Sequence, residues 1–160
     1  MPIEGCLNDE EGKMKMQKGF TLIELIVVIV ILGILAATAI PRFLDVASNA
    51  RKANLSGAQG AMNSASNLAH AAQQIAGTAS NVSVTLGGQT VTMSGGYPTA
   101  DSAGIGMAAT INTAANGDYT LAGSNPFVIQ PINGGSATCQ VSYANTGTGT
   151  FTITVTPTGC

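Results

Sequence analysis

Gly19-Phe20-Thr21-Leu22-Ile23-Glu24 opens a run that stays apolar as far as Pro41. A helix from Phe20 to Ile40 is about 30 Å long, enough to cross the hydrocarbon core of a bilayer. Lys13, Lys15 and Lys18 stand just before it. That charge bias holds the N-terminal side in the cytoplasm and sends the remainder outward. Glu24 is the anomaly, because a lone carboxylate in an apolar helix costs on the order of 3 kcal/mol to insert into lipid. No basic residue follows until Arg42, too far along the helix to reach it. The cation within reach would be an α-amino group made by cutting the chain just before Phe20. Phe20 and Glu24 lie one turn apart on the same helix face. The amine could come from the same chain or from a neighbour, and a neighbour's amine would set the stagger between two packed subunits.

Two plainer readings compete. A single-pass anchor accounts for the length and the lysines but not for Glu24. A secretory signal, with Ala37-Thr38-Ala39 as a small-residue cleavage site before Ile40, accounts for the charged start and the apolar run. It leaves the Gly19–Glu24 string unexplained.

Lys18-Gly19-Phe20-Thr21-Leu22-Ile23-Glu24, the apolar run and Pro41 together resemble the class III signal of type IV pilins and pseudopilins. The resemblance is strongest over about residues 15 to 41. It implies a prepilin peptidase that cuts between Gly19 and Phe20 and N-methylates Phe20. It also implies four segments: a leader at 1–19, a transmembrane and assembly helix at 20–41, the amphipathic half of the same long helix at 42–76, and a β-rich head at 77–160. Leaders in this family are usually short and basic, and Met14–Gly19 alone would serve. The acidic stretch Pro2–Glu11 departs from that pattern, so either the leader is long or translation starts at Met14. Cys6 belongs to this segment and not to the mature fold.

After such a cut the acids are Glu24, Asp45, Asp101 and Asp118, and the bases are Arg42, Arg51 and Lys52. Four acids against three bases leave a side-chain charge of −1. No basic stripe remains for nucleic acid. Low net charge suits subunits that pack on one another. Within the apolar run, Gly33 and Pro41 are the weak points: glycine costs about 1 kcal/mol in a helix interior and proline about 3. Proline also kinks a helix. Both are tolerated in membrane helices.

From Arg42 to about Ile75 the pattern becomes an amphipathic helix. Leu55, Ala58, Met62, Ala65, Ala69, Ala72 and Ala76 recur at three- and four-residue steps. Asn63, Ser66, Asn67, His70, Gln73 and Gln74 fall on the opposite face. Gly57, Gly60 and several Ser and Asn residues give poor intrinsic propensity, so this helix should hold only when packed, on a sheet. Gly77 is the expected stop. His70, the one histidine, reads as a solvated surface residue.

Beyond Gly77 the chain turns to β. Val82–Leu86 and Gln89–Met93 read as a hairpin around Gly87-Gly88. Ser94–Pro98 breaks the pattern, and a short helix is expected from about Asp101 to Ala115, capped by Asp101 or Ser102. Phe127–Gln130, Thr138–Ala144 and Thr150–Thr156 read as strands, the last two joined by the turn Asn145–Gly149. Phe151–Thr156 alternates, which puts one face inside and the threonines outside. The expected fold class is α+β; the resemblance implies a pilin fold in which a long N-terminal helix packs on an antiparallel sheet.

Cys139 and Cys160 are the cysteines left in the mature chain, on the side of the membrane where disulfides persist. A bond between them closes a loop of some twenty residues and stabilises by roughly 3 kcal/mol on the chain-entropy argument. A metal site would have only a distant His70 to add, and a catalytic thiol would lack a base. In many type IV pilins two C-terminal cysteines close a variable loop exposed on the pilus; here that loop would span 139–160. Gly95-Gly96-Tyr97-Pro98 and Thr158-Gly159-Cys160 look most like pilins of the mannose-sensitive haemagglutinin type.

No catalytic arrangement, phosphate-cradling loop or metal-ligand cluster is visible, and no cofactor is expected. Asp101 and Asp118 suit a cap and a turn better than the six or more oxygens calcium needs. The resemblance implies a non-enzymatic subunit, held in the bacterial inner membrane until it polymerises into an extracellular helical filament. Its expected partners are copies of itself, the prepilin peptidase, the pilus assembly machinery and an unknown surface receptor. The expected roles are adhesion, with biofilm formation or motility. A pseudopilin of a type II secretion system, a minor pilin, and a singly anchored enzyme or sugar-binding protein are the alternatives.

Overall fold

The computed structural model describes residues 19–114, 117–134 and 136–160. The expected leader, with Cys6, Lys13, Lys15 and Lys18, lies outside the described residues except for Gly19. One helix, α1 (Leu22–Ala76), accounts for 55 residues and carries Pro41 within it. The chain divides into two compact units, the first ending at Pro41 and the second running from Arg42 to Cys160.

In the second unit, α1 buries Leu55, Ala58, Met62, Ala65 and Ala69. Those are the three- and four-residue steps that keep one helix face turned inward. Eight strands follow among the described residues. β1 (Val84–Leu86) pairs with β2 (Gln89–Val91), and β3 (Met93–Ser94) pairs with β4 (Tyr97–Pro98). β5 (Tyr119–Gly123), β6 (Phe127–Pro131), β7 (Cys139–Asn145) and β8 (Phe151–Pro157) form an antiparallel sheet in that order. Its inner face meets α1, with Phe127, Ile129, Val141 and Tyr143 joining Leu55, Ala58 and Met62 in one core. A second cluster gathers Ala69, Val84, Val91 and Met93 under the connector.

The first hairpin stands where expected, but its ladder stops at Val84 and Val91. Gly87 and Gly88 both take positive φ, 55° and 82°, the turn geometry that matches strand twist. Between Asp101 and Ala115 the expected helix is reduced to a π-helical turn, Ser102–Gly106. Asp101 caps it, accepting from the Gly104 amide at 2.7 Å. The backbone of Thr99 presses so closely on Gly104 that a Cβ there would clash, so the turn is shaped by tertiary contact and not by helical propensity.

The expected polar face of α1 needs correcting. Ser66 and Gln73 are 0% and 4% exposed. Ser66 lies beside Tyr143 of β7, and Gln73 is covered by the connector after Gly77, which folds back on the helix. Gln73 Nε2 donates to the Ala79 carbonyl at 3.1 Å and the Val82 carbonyl at 2.8 Å. Ala76, expected on the buried face, is exposed. His70 is likewise no solvated residue. It is half-buried, its Nδ1 donates to the Gly96 carbonyl at 2.7 Å, and its ring stacks on Tyr97 with centroids 4.4 Å apart.

Candidate functional site

The N-terminal segment is built by its own sequence. Residues 19 to 41 are all exposed, Phe20 at 92%. A helix clad in Leu, Ile and Val satisfies its backbone internally, but among the described residues nothing covers its side chains. Thr21 and Glu24 begin it as a reciprocal cap. The Thr21 amide and hydroxyl donate to Glu24 Oε2 at 2.8 and 2.7 Å, and the Glu24 amide donates to Thr21 Oγ1 at 3.3 Å. This is the Ser/Thr-x-x-Glu capping box, which satisfies amides that a helix start otherwise leaves free. The sequence carried that signal in Thr21-Leu22-Ile23-Glu24, although only the charge of Glu24 drew notice. Phe20, Ile23, Glu24, Val27 and Val28 line one shallow, open groove, so Phe20 and Glu24 do share a face. A side chain added at Gly33 would meet no atom within 4 Å.

The second unit carries the cysteines. Cys139 and Cys160 are bonded, with Cα atoms 4.9 Å apart, and both are buried. Cys139 starts β7, so the bond ties Cys160 to a central strand. Arg51 on α1 adds a second tether, donating from Nε to the Cys160 carbonyl at 2.6 Å. No periodicity in the sequence announces that contact, which joins residues far apart in the chain. Tyr143, at the centre of β7, donates its hydroxyl to the Pro98 carbonyl at 2.9 Å. Burial pushes its phenol up to about 12. The Ser66 hydroxyl beside it acts the other way, although it lies outside hydrogen-bond geometry, and the nearby Tyr97 adds a further upward push.

Among the described residues no three His, Cys, Asp or Glu side chains gather as a metal group would require. Asp101 serves the cap described above. The chemistry on offer is that of surfaces: an apolar helix face in one unit, and an uncharged sheet face in the other.

Residues 14–40 match the prokaryotic N-terminal methylation motif. The chain is 54% identical over 52 residues to the type IV narrow pilus major component PilA5 of Thermus thermophilus, a match covering 32% of this chain and 45% of that protein. It is 48% identical over 56 residues to the type IV major alpha-pilin of Moraxella bovis, covering 35% of each. With the fimbrial protein EcpC of Eikenella corrodens the identity is 40% over 98 residues, 61% of this chain and 50% of the other. The chain spans half or less of the length of these curated relatives. Their names do not single out the mannose-sensitive type. No solved structure matches this chain.

Proposed function

We propose that this type IV pilin is the structural subunit of a surface filament. Its family rests on the methylation motif at 14–40 and on its pilin and fimbrial relatives. The observation that carries the role is the exposure of every side chain from Phe20 to Pro41. Such a segment is stable only in lipid or among other apolar helices. The subunit therefore waits in the inner membrane after cleavage between Gly19 and Phe20 and N-methylation of Phe20. It then exchanges lipid for the helices of other copies. Glu24 meets the N-terminal amine of a neighbour through the carboxylate oxygen that Thr21 leaves free, and this sets the register. Gly33 and Pro41 let the segment bend as it packs. The head, closed by Cys139–Cys160, faces outward and carries attachment. Two of the relatives are named as major components, which supports a major over a minor subunit.

The test is the intact mass and N-terminal fragmentation of filaments sheared from cells. A chain that begins at N-methylated Phe20, lighter by two hydrogens for the disulfide, and that dominates the preparation is the expected result. A chain starting at Ile40 would make it a secreted domain. An uncut chain would leave a simple anchor.

A further inference from the structure

We propose that β8 is a self-association edge, through which two copies of this chain pair strand to strand about a two-fold axis at Thr154. β8 closes one side of the sheet and bonds only to β7. Among the described residues, no other backbone hydrogen bond reaches residues 151–156. An open strand edge is a template for another strand, and proteins normally block it with charge, a bulge, an internal proline or a cover. The opposite edge, β5, is interrupted by a register shift between Leu121 and Gly123. β8 has no such break: its register with β7 runs evenly from Asn145↔Phe151 to Cys139↔Pro157, and its one proline is at the end. From Tyr119 to Cys160 there is no Asp, Glu, Lys, Arg or His.

The occupant is a second copy because the strand reads almost the same in both directions. Phe151-Thr152-Ile153-Thr154-Val155-Thr156-Pro157 has Thr154 at its centre. Set antiparallel to itself about that residue, Thr152 faces Thr156, Ile153 faces Val155, and Thr154 faces its own copy. Exposed Thr152 and Thr154, with half-buried Thr156, continue as a threonine row on the outer face. Phe151, Ile153 and Val155 pack on the core yet stay half-exposed, Phe151 with its ring against Tyr97 and Tyr143 at 5.0 and 5.6 Å. A second copy would cover them. Threonine pairs and β-branched pairs directly across strands are both favourable, and with no charge present no like-charge repulsion opposes the two-fold. A charged partner would find nothing to pair with. If the filament reading holds, the contact joins separate filaments, because subunits of a helical filament follow one another through heterologous contacts, whereas a two-fold contact is isologous and closed.

The experiment is mild oxidation of the detergent-solubilised full chain carrying Cys6→Ser and one added cysteine, so that the added thiol is the one free thiol. Thr154→Cys should give a disulfide-linked dimer, because directly opposed residues approach within bonding reach. Thr120→Cys, exposed on β5, should stay monomeric. Mixing Thr152→Cys with Thr156→Cys chains should trap the mixed dimer in preference to either homodimer. Equal trapping at 154 and 120 would mean chance collision or association through α1 alone, and would overturn the proposal. So would no trapping at 154, or homodimers at 152 as abundant as the mixed species. As a second arm, Thr154→Lys and Thr154→Glu chains should each lose self-association and regain it when mixed; self-association unchanged in either single variant would also overturn it. No filament is needed, so a failure here leaves the filament reading standing, and a failure of that reading leaves this one to stand on its own.

Discussion

Thr21 and Glu24 hold each other at the first turn of α1, each donating its amide to the other's side-chain oxygen, at 2.8 and 3.3 Å. On the proposed reading the carboxylate does two jobs: it caps its own helix, and it offers its second oxygen to a neighbour. The two jobs separate by substitution. Glu24→Gln keeps a capping side chain but removes the charge, so it should be processed normally yet lower filament yield about as much as Glu24→Ala, by roughly tenfold for a lost pair of about 1.4 kcal/mol. Thr21→Val loses only the cap, about 1 kcal/mol, and should still assemble. Sheared-filament yield set against the mass of the membrane-bound subunit measures this. Normal yield from Glu24→Gln would remove the charge from the account of assembly.

The Cys139–Cys160 bond should be worth about 3 kcal/mol to the head, given a sequence separation of 21. Thermal unfolding of the detergent-solubilised chain, followed by near-ultraviolet circular dichroism with and without reductant, should show a fall of several degrees. Cys139→Ser should match the reduced parent. Arg51→Ala should act mainly in the oxidised protein, because its acceptor is the carbonyl of Cys160, which the bond holds in place.

Met62→Ala should cost about 2–5 kcal/mol, because the side chain is wholly buried between α1 and the sheet and its loss leaves a cavity. Leu68→Ala, one and a half turns on and exposed, should change stability by less than about 0.5 kcal/mol. The comparison is read from denaturant midpoints. Similar losses at both positions would mean that the helix face is assigned wrongly.

Tyr143 makes the head sensitive to base. Its ordinary phenol value is near 10, and burial lifts it to about 12 in the fold. Neutral phenol is the form the fold prefers, so the contribution to stability is whole below about pH 10 and is lost as pH climbs through about 12. The thermal midpoint should be flat up to about pH 9.5 and then fall. Tyr143→Phe should make the fall shallower and cost about 1 kcal/mol at neutral pH, since the Pro98 carbonyl keeps a bond from Asn145 Nδ2. Some slope should remain, because burial, helped by Asp118, raises Tyr119 as well.

His70 is the hinge-pin of the connector. Replacing it with alanine removes the stack on Tyr97 and the bond to Gly96, and should cost about 1–2 kcal/mol. The loss should be accompanied by faster amide exchange in residues 78–97. Protection unchanged there would mean that the connector is held by Gln73 alone.

What the sequence disclosed was what periodicity and motif can carry. Leu55, Ala58, Met62, Ala65 and Ala69 were legible as the buried face because their spacing alone puts them on one side. β7 and β8 were legible from alternation, with ends off by one residue. β5 was missed: Tyr119-Thr120-Leu121-Ala122-Gly123 does not alternate, and a bulge breaks its pairing. His70 and Gln73 sit under the connector that folds back after Gly77, and Ser66 sits beside Tyr143 of β7, contacts that helical periodicity does not report. The Thr21–Glu24 cap is written in local sequence, because its two residues are three positions apart. The Arg51 tether is not, because nothing in residues near 51 reports where Cys160 ends up.

The pleat of β8 has an evolutionary consequence. Alternate residues point away from the core, so Thr152 and Thr154 can be exchanged without disturbing Ile153 or Val155. The face this protein shows to its surroundings can therefore drift quickly while the scaffold behind it stands still. Lineages sharing one architecture could then differ in what they cling to, or in whether they clump, through changes at only a few positions.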